Sequence, residues 1–301
     1  MSGVRIGVDV GGTKIDAVVL DGSGAVLARH RLAVGKGEHG VVATTVEAVE
    51  SACADAGISV GDAASIGIGI PGSVSSGVVR HAFNLGVTEL DLAGALGTRW
   101  SVPVYVENDV NAAALGAWHL LGGGHASAAY LNLGTGLAAG IVLDGRVWRG
   151  AGGVAGEIGY ISVDPHGPIG PDGLPGGLET YASGSGLALQ WGRDGETGET
   201  VMDRARAGDP EAAVLRDNLM FGLASAVRVL VLSLDPDHIF LGGGLTALGE
   251  ELTGGARAVI DEWEAASPFL ASLRMNERMS IVPADQPVAA MGAAMLEANH
   301  G

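Results

Sequence analysis

Val4-Arg5-Ile6-Gly7-Val8-Asp9-Val10-Gly11-Gly12-Thr13-Lys14, followed by the apolar run Ile15 to Leu20, decides the architecture because the chain repeats it. The echo is Ala128-Ala129-Tyr130-Leu131-Asn132-Leu133-Gly134-Thr135-Gly136, followed by Leu137 to Leu143. Each stretch reads as strand, glycine turn, strand. Glycine lets backbone come close to a bulky anion, and Thr13 and Thr135 place a hydroxyl at the same point. One such hairpin is no more than a tight turn. Two of them predict two halves that clasp one phosphate chain from opposite sides. Lys14 follows too soon for a P-loop, and no helix opens after either turn to complete a dinucleotide fingerprint. The expectation is therefore an anion held by hairpins rather than by a helix amino terminus.

A chain of 301 residues is long enough for two domains, and 47% hydrophobic residues suit globular cores. Its 51 glycines are more than twice the usual share of about 7%. They are scattered through turns, which predicts many tight corners rather than disorder. A formal charge of −17 argues against a nucleic-acid partner, which needs clustered Lys and Arg. The first strand carries Arg5 and Asp9 and lacks a signal-peptide pattern, and the apolar run Val227 to Leu234 is short and interrupted by Arg228. No membrane partner is expected. Cys53 is the only cysteine, so no intramolecular disulfide can form, and the chain reads as cytoplasmic.

The first hundred residues alternate strand and helix patterns: a strand at Val26 to Leu32, a helix at Val41 to Ala56 stopped by Gly57, and a strand at Ser65 to Ile70 closed by Pro71-Gly72. A short helix at Leu90 to Trp100 and a buried strand at Val102 to Val106 follow. This order implies a mainly parallel sheet with helical cover. The second half restarts the theme. It holds helices on either side of Asp209-Pro210, a strand at His238 to Leu241 running into Gly242-Gly243-Gly244, and a helix at Thr246 to Ala266 broken by Gly254-Gly255. A last strand at Met279 to Pro283 and an Ala- and Met-rich helix at Val288 to Asn299 close the chain. The Pro/Gly-rich stretch Val163 to Gly177 is expected to be an ordered loop.

Val106-Glu107-Asn108-Asp109-Val110-Asn111 ends the buried strand and opens the helix-forming Ala112-Ala113-Ala114-Leu115. An N-cap accounts for one of these polar residues, not for four. An Asp at this place can take a proton from a hydroxyl while Asn108 holds the neighbouring oxygen. Glu157 and Glu179 flank the Pro/Gly loop, and Asn84 sits in Phe83-Asn84-Leu85-Gly86. Carboxylates and amides spread over separate loops suit a polyhydroxylated ligand, whose hydroxyls each donate and accept.

The ordered series Asp9 to Lys14, Gly69-Ile70-Pro71-Gly72, Glu107 to Ala112, Leu133 to Gly136, Gly156-Glu157-Ile158-Gly159, Leu178-Glu179 and Leu241 to Gly244 resembles the ROK family of sugar kinases, repressors and open reading frames. The resemblance spans Val4 to about Leu296. It implies an α/β, actin-like ATPase (ribonuclease H-like) fold of two lobes with a cleft between them, sugar bound in the cleft and ATP beneath it. The small lobe would be residues 1–112 completed by helix 288–301, and the large lobe 113–287. Asp109 would be the catalytic base, and Asn84, Asn108, Glu157 and Glu179 would bind sugar. Gly11, Gly12, Thr13, Lys14, Gly134, Thr135 and Gly136 would cradle phosphate, Gly243 and Gly244 would lie by the adenosine, and Asp9 would orient Mg²⁺ through water. Family analogy suggests a homodimer, and a first strand at Val4 resembles the kinases rather than the repressors.

One departure is large. The family commonly reads Glu-x-Gly-His, then Cys-x-Cys-Gly-x-x-Gly-Cys-x-Glu, with the His and three Cys holding a structural zinc. Here those positions are Tyr160, Gly170, Asp172 and Gly177. One Asp cannot make a tetrahedral thiolate and imidazole site, so no zinc is expected. Stiffening by Pro165, Pro168, Pro171 and Pro175 is expected in its place. The replaced His also faces the sugar in the family, so Tyr160 is expected among the sugar contacts. The implied activity is glucokinase-like phosphorylation at carbon six. The alternatives are an N-acetylhexosamine or other hexose kinase, polyphosphate as donor, an inactive sugar-binding regulator, or a phosphatase or general ATPase.

Overall fold

The computed structural model describes residues 3–121 and 124–296. Strands β1 (Val4–Val10), β2 (Lys14–Leu20) and β3 (Val26–Ala33) form an antiparallel meander, and helix α1 (Gly37–Ala56) follows. Gly57, at φ 71°, ends α1 in the left-handed conformation that a residue without Cβ adopts at no cost. Strand β4 (Ala63–Ile70) then pairs parallel with β1. A small sheet of β5 (Ser73–Ser75), β6 (Val78–Ala82) and β7 (Val87–Asp91) leads into α2 (Leu92–Trp100). The helix expected from Leu90 thus starts two residues later. Leu90 and Asp91 finish β7, and the Asp91 carboxylate accepts the Gly94 N–H at 2.9 Å as its cap. Strand β8 (Val104–Asn108) pairs parallel with β4, giving the order β3-β2-β1-β4-β8, and helix α3 (Asp109–Leu121) leaves its end.

Strands β9 (Ser127–Leu133), β10 (Leu137–Leu143) and β11 (Arg146–Val147) open the second half. Helices α4 (Leu178–Tyr181), α5 (Gly184–Trp191), α6 (Gly198–Arg206) and α7 (Pro210–Leu234) follow. After them come β12 (His238–Gly242), α8 (Glu250–Ala266), α9 (Pro268–Ser272), β13 (Met279–Ile281) and α10 (Val288–Ala294). The second sheet runs β11-β10-β9-β12-β13, the same order as the first with each strand replaced by its counterpart. The repeat of the glycine hairpin is thus a repeat of a whole sheet.

The chain divides into two compact units. Unit 1 takes the described residues through Ala126, Gly140–Val154 and those from Asp285; unit 2 takes Ser127–Ala139 and Ala155–Ala284. The boundary expected after residue 112 differs, because α3 and the stretch from Gly140 pack into unit 1. A Cβ on Gly140 would lie 2.6 Å from both the Ala114 Cβ and the Val110 carbonyl oxygen. The part of the C-terminal helix expected beyond residue 296 lies outside the described residues.

In unit 1, alternation along β2 sends Ile15, Ala17 and Val19 toward α1, where Val41, Ala48 and Val49 are buried, and Val18 and Leu20 toward Met291 and Ala294 of α10. The α10 side is unusually close. A Cβ on Gly7 would lie 1.9 Å from the Ala290 oxygen, one on Gly67 1.7 Å from the Ala293 oxygen, and one on Gly116 1.9 Å from the Val288 oxygen. Glycine is required wherever two backbones meet at such range.

In unit 2, Leu219, Leu223, Val227 and Leu230 of α7 pack with Leu252 and Ile260 of α8 onto Leu131, Leu133, Ile239 and Leu241. Helix α7 is long and apolar enough to cross a membrane by length and composition, and this packing accounts for its apolar character. Helix α8 runs unbroken through Gly254-Gly255, contrary to the expected break. Gly255 instead admits α7, since its Cβ would lie 2.6 Å from the Met220 side chain. Thr246, Ala247 and Leu248, expected to begin that helix, belong instead to a separate 3-10 turn, Gly244–Leu248.

Candidate active site

In unit 1, β1, β4 and β8 end together: Asp9 lies opposite Gly69, and Gly69 opposite Glu107. The carboxyl edge of this parallel set therefore gathers Asp9, Glu107, Asn108 and Asp109, where open α/β sheets place ligands. Glu107 is 3% exposed. Its Oε1 accepts the Asn108 N–H at 2.8 Å and the Asn111 Nδ2 at 3.0 Å, while Oε2 accepts Arg149 Nε at 2.7 Å and Arg149 Nη2. A buried carboxylate so fully paired is a strut. Asn108 caps α3, its Oδ1 accepting the N–H groups of Val110 at 2.9 Å and Asn111 at 3.2 Å, and its Nδ2 donates to the Gly72 carbonyl at 3.1 Å. One of its two amide protons stays uncommitted among the described contacts.

Asp109 is the first residue of α3 and accepts the Val110 N–H at 3.0 Å. Its charge is felt by Asp9, whose carboxyl is pushed up to about 7, first by burial, then by Asp109 and Asp16, with Lys14 opposing. Burial also raises Asp16, against the opposing bond and charge of Arg31, whose Nε lies at 2.9 Å, and the charge of Lys14; Arg29 Nη2 pairs with the same carboxylate at 2.7 Å. The turn Gly11 to Thr13 is closed by the Gly11 N–H donating to the Lys14 carbonyl at 2.9 Å. Asn84 lies beside it, its Nδ2 3.2 Å from where a Gly12 Cβ would be. Lys36 fastens the two, its ammonium donating to the Gly12 carbonyl and, at 2.7 Å, to the Asn84 carbonyl. Nothing in the sequence marked Lys36, which stands in an ordinary strand-to-helix connection.

In unit 2, the turn Gly134 to Gly136 is fastened differently. The N–H groups of Gly184 and Ser185, the first residues of α5, donate to the Gly134 and Thr135 carbonyls at 2.9 and 3.0 Å, and Ser185 Oγ donates to Thr135 at 2.6 Å. The amino terminus of α5 thus spends these N–H groups on the hairpin's own carbonyls. Glu179 accepts the Leu137 N–H at 2.9 Å, and a Cβ on Gly136 would lie 2.7 Å from the same oxygen. Gly243 has φ 89° and its Cβ would be 2.5 Å from the Leu133 carbonyl, so only glycine brings the end of β12 against this turn, with Gly244 following.

Glu157 precedes a 3-10 turn at Ile158–Tyr160, and its carboxyl is raised first by partial burial and then by the charge of Glu179. Tyr160 is 70% exposed and borders, with Glu179, Thr180 and Asp172, a cavity of about 230 Å³. The structure thus brings Glu157, Tyr160 and Glu179 into one neighbourhood of unit 2. The loop from Val163 to Gly177 is ordered. Val163 donates its N–H to Gly176 at 2.9 Å, Gly176 to Pro168 at 2.9 Å and Gly170 to Leu174 at 2.8 Å, and the Tyr181 hydroxyl donates to Asp164 at 2.9 Å. These bonds add to the stiffness of its prolines. Among the described residues no group of three or more His, Cys, Asp or Glu side chains is placed to hold a metal.

Comparison with known proteins agrees with this geometry. The ROK family model matches residues 5–298. A glucokinase of Halalkalibacterium halodurans is 34% identical over 270 residues, 82% of each chain. The crystal structure of a ROK hexokinase from Thermus thermophilus superposes with TM-score 0.81 at 31% identity, covering 97% of both chains. A ROK family glucokinase from Streptomyces griseus in complex with glucose and AMPPNP superposes with TM-score 0.75 at 31% identity, covering 97% of this chain and 98% of that one. The two sheets of one strand order are those of the actin-like ATPase fold. The chain belongs to the ROK family.

Proposed function

We propose that this protein is a sugar kinase that transfers the γ-phosphoryl group of ATP to a hexose hydroxyl, the one on carbon six, in the manner of a glucokinase. The observation that carries the reading is Asp109 at the first position of α3, on the strand edge it shares with Asp9 and braced from behind by Glu107 and Asn108. Asp109 takes the proton of the attacking hydroxyl. Asn84, Asn108, Glu157, Tyr160 and Glu179 hold the sugar, whose hydroxyls each donate and accept. The amides of Gly11, Gly12 and Thr13 and those of Gly134, Thr135 and Gly136 offset phosphate charge, Lys14 assists the first turn, and Gly243 and Gly244 lie by the adenosine. The names of the relatives, glucokinase and hexokinase, support the reaction class.

Magnesium fits the donor set. Asp9 and Asp109 supply hard oxygens and excess negative charge, yet too few ligands for a closed cage, which suits a cation held largely by water and phosphates. Asp9 would hold it through water, and when bound it would neutralise charge on the transferred group. The reading includes a homodimer in the cytoplasm without a nucleic-acid or membrane partner, supported by family analogy and by the charge of −17.

Release of ADP over a panel of hexoses, N-acetylhexosamines and a sugar-free control tests the proposal. Stimulation by a hexose supports it; turnover without sugar, or none with any sugar, overturns it in favour of an ATPase or an inactive regulator. Polyphosphate in place of ATP tests the donor. Stimulation by N-acetylhexosamines alone would select the reading as an N-acetylhexosamine kinase. Asp109→Asn should lower kcat by about 10² to 10⁴-fold while sugar affinity stays nearly intact, and more than a tenth of the rate remaining would refute the base assignment.

A further inference from the structure

We propose that Arg149 is a positioning residue for Asp109, acting through Glu107; the inference rests on the reading of Asp109 as the base. Glu107 divides its carboxylate. Oε2 takes both donors from Arg149, Nε at 2.7 Å and Nη2, and this leaves Oε1 to the Asn108 N–H at 2.8 Å and Asn111 Nδ2 at 3.0 Å. The two bonds on Oε1 hold the N–H of Asn108, the residue immediately before Asp109, and the side chain of Asn111 in the first turn of α3. Glu107 is buried to 4% side-chain exposure, and Arg149 is its partner on the more open side, at 25%. A buried carboxylate stripped of that cation is no longer held in one orientation, and turning toward water withdraws its acceptor from the turn that carries the base.

Arg149 reaches this place from a distant part of the chain, at the head of the glycine-rich run Gly150 to Gly153 that leads toward Glu157. No local motif marked it. A cavity of about 540 Å³ borders Tyr105, Glu107, Arg149 and Gly150, so a small ion can reach the guanidinium's place from solution. The guanidinium is planar and presents several donors at fixed angles; an ammonium delivers the charge without that geometry.

The test compares Arg149→Met, Arg149→Lys, Arg149→Ala and Asp109→Asn in the full chain, with circular dichroism to confirm folding. Arg149→Met should lower kcat by about tenfold to a hundredfold, the scale of a small misplacement of a reacting group, with a smaller rise in sugar KM through Asn108. Arg149→Lys should recover part of the loss. Guanidinium chloride at low millimolar concentration should raise the kcat of Arg149→Ala several-fold and leave wild type unaffected, with sodium chloride at equal ionic strength inert. If Arg149→Met is unfolded, the lysine variant and the guanidinium response decide. An Arg149→Met kcat within twofold of wild type, a change in sugar KM alone, or absence of rescue in a folded Arg149→Ala would overturn the positioning role. If Asp109→Asn keeps more than a tenth of the turnover, the base reading itself falls, and that result is separate from the Arg149 series.

Discussion

The two five-stranded sheets share strand order and glycine turn, but their matching rows hold different residues. Where the first sheet sets Gly7 against Gly67, the second sets Tyr130 against Phe240; where the first has Asp9 before its turn, the second has Asn132. Lys14 and Asp16 of β2 likewise correspond to Leu137 and Ala139 of β10. The first sheet has been thinned until the backbone of α10 lies on it, and it carries the charge. The second is filled by two buried aromatic rings and keeps a neutral hairpin, fastened by α5 and Glu179. One scaffold thus carries charged side chains on one copy and an uncharged glycine turn on the other.

The comparison breaks most readily at the thinned row. Gly67→Val would drive a side chain into the Ala293 carbonyl and should cost about 3 kcal/mol or more, whereas Phe240→Leu in the matching row should cost under about 1.5 kcal/mol. Urea unfolding of both variants measures the contrast, and equal costs would show that α10 can shift. Next in size is the exchange of charge between hairpins. Asp9→Asn should lower kcat by about a hundredfold and raise the Mg²⁺ concentration needed for half-maximal rate; Asn132→Asp should instead raise the KM for ATP by repulsion. A Mg²⁺ titration at saturating sugar distinguishes the two.

Smaller effects follow from how the turns are fastened. Lys36→Met and Ser185→Ala each remove hydrogen bonds to a turn carbonyl, worth about 0.5 to 1.5 kcal/mol. Each should raise the KM for ATP a few-fold with little change in kcat, and unchanged steady-state parameters in both variants would mean that neither fastening matters for nucleotide.

The smallest effect is a pH dependence at Glu157. Its folded carboxyl titrates above the ordinary value of 4.5, through partial burial and then Glu179, so its favourable contribution to stability is full at acid pH and is lost as pH rises through the folded value. Glu157→Gln should therefore melt above wild type near neutrality, with the gap closing below about pH 4.5. Scanning fluorimetry over that range reads it; a gap independent of pH would assign the change to packing.

Local pattern was enough for much of this. Apolar runs bounded by glycine placed both hairpins, Gly57 stopped α1, and Asn108-Asp109 opened a helix at a strand end. Pattern misled at Gly254-Gly255, where a glycine pair resembles a break but serves close helix packing. It was silent on Lys36 and Arg149, because an exposed lysine and an arginine at the head of a glycine run look the same with or without a distant partner. It also assigned Glu179 to sugar without showing the bond from its carboxylate to the Leu137 N–H, which ties the candidate sugar residue to the second turn.

The sequence by itself determined the elements, the duplication and the row of candidate residues, since these follow from backbone preference and side-chain periodicity within short windows. Tertiary structure decided which helix covers which sheet, where the units divide, and what holds each turn. Those outcomes depend on contacts between residues far apart in the chain: Arg149 with Glu107, Glu179 with Leu137, Gly7 with Ala290. Whether such partners meet is settled by the packing of the folded chain, which short-range patterning does not encode.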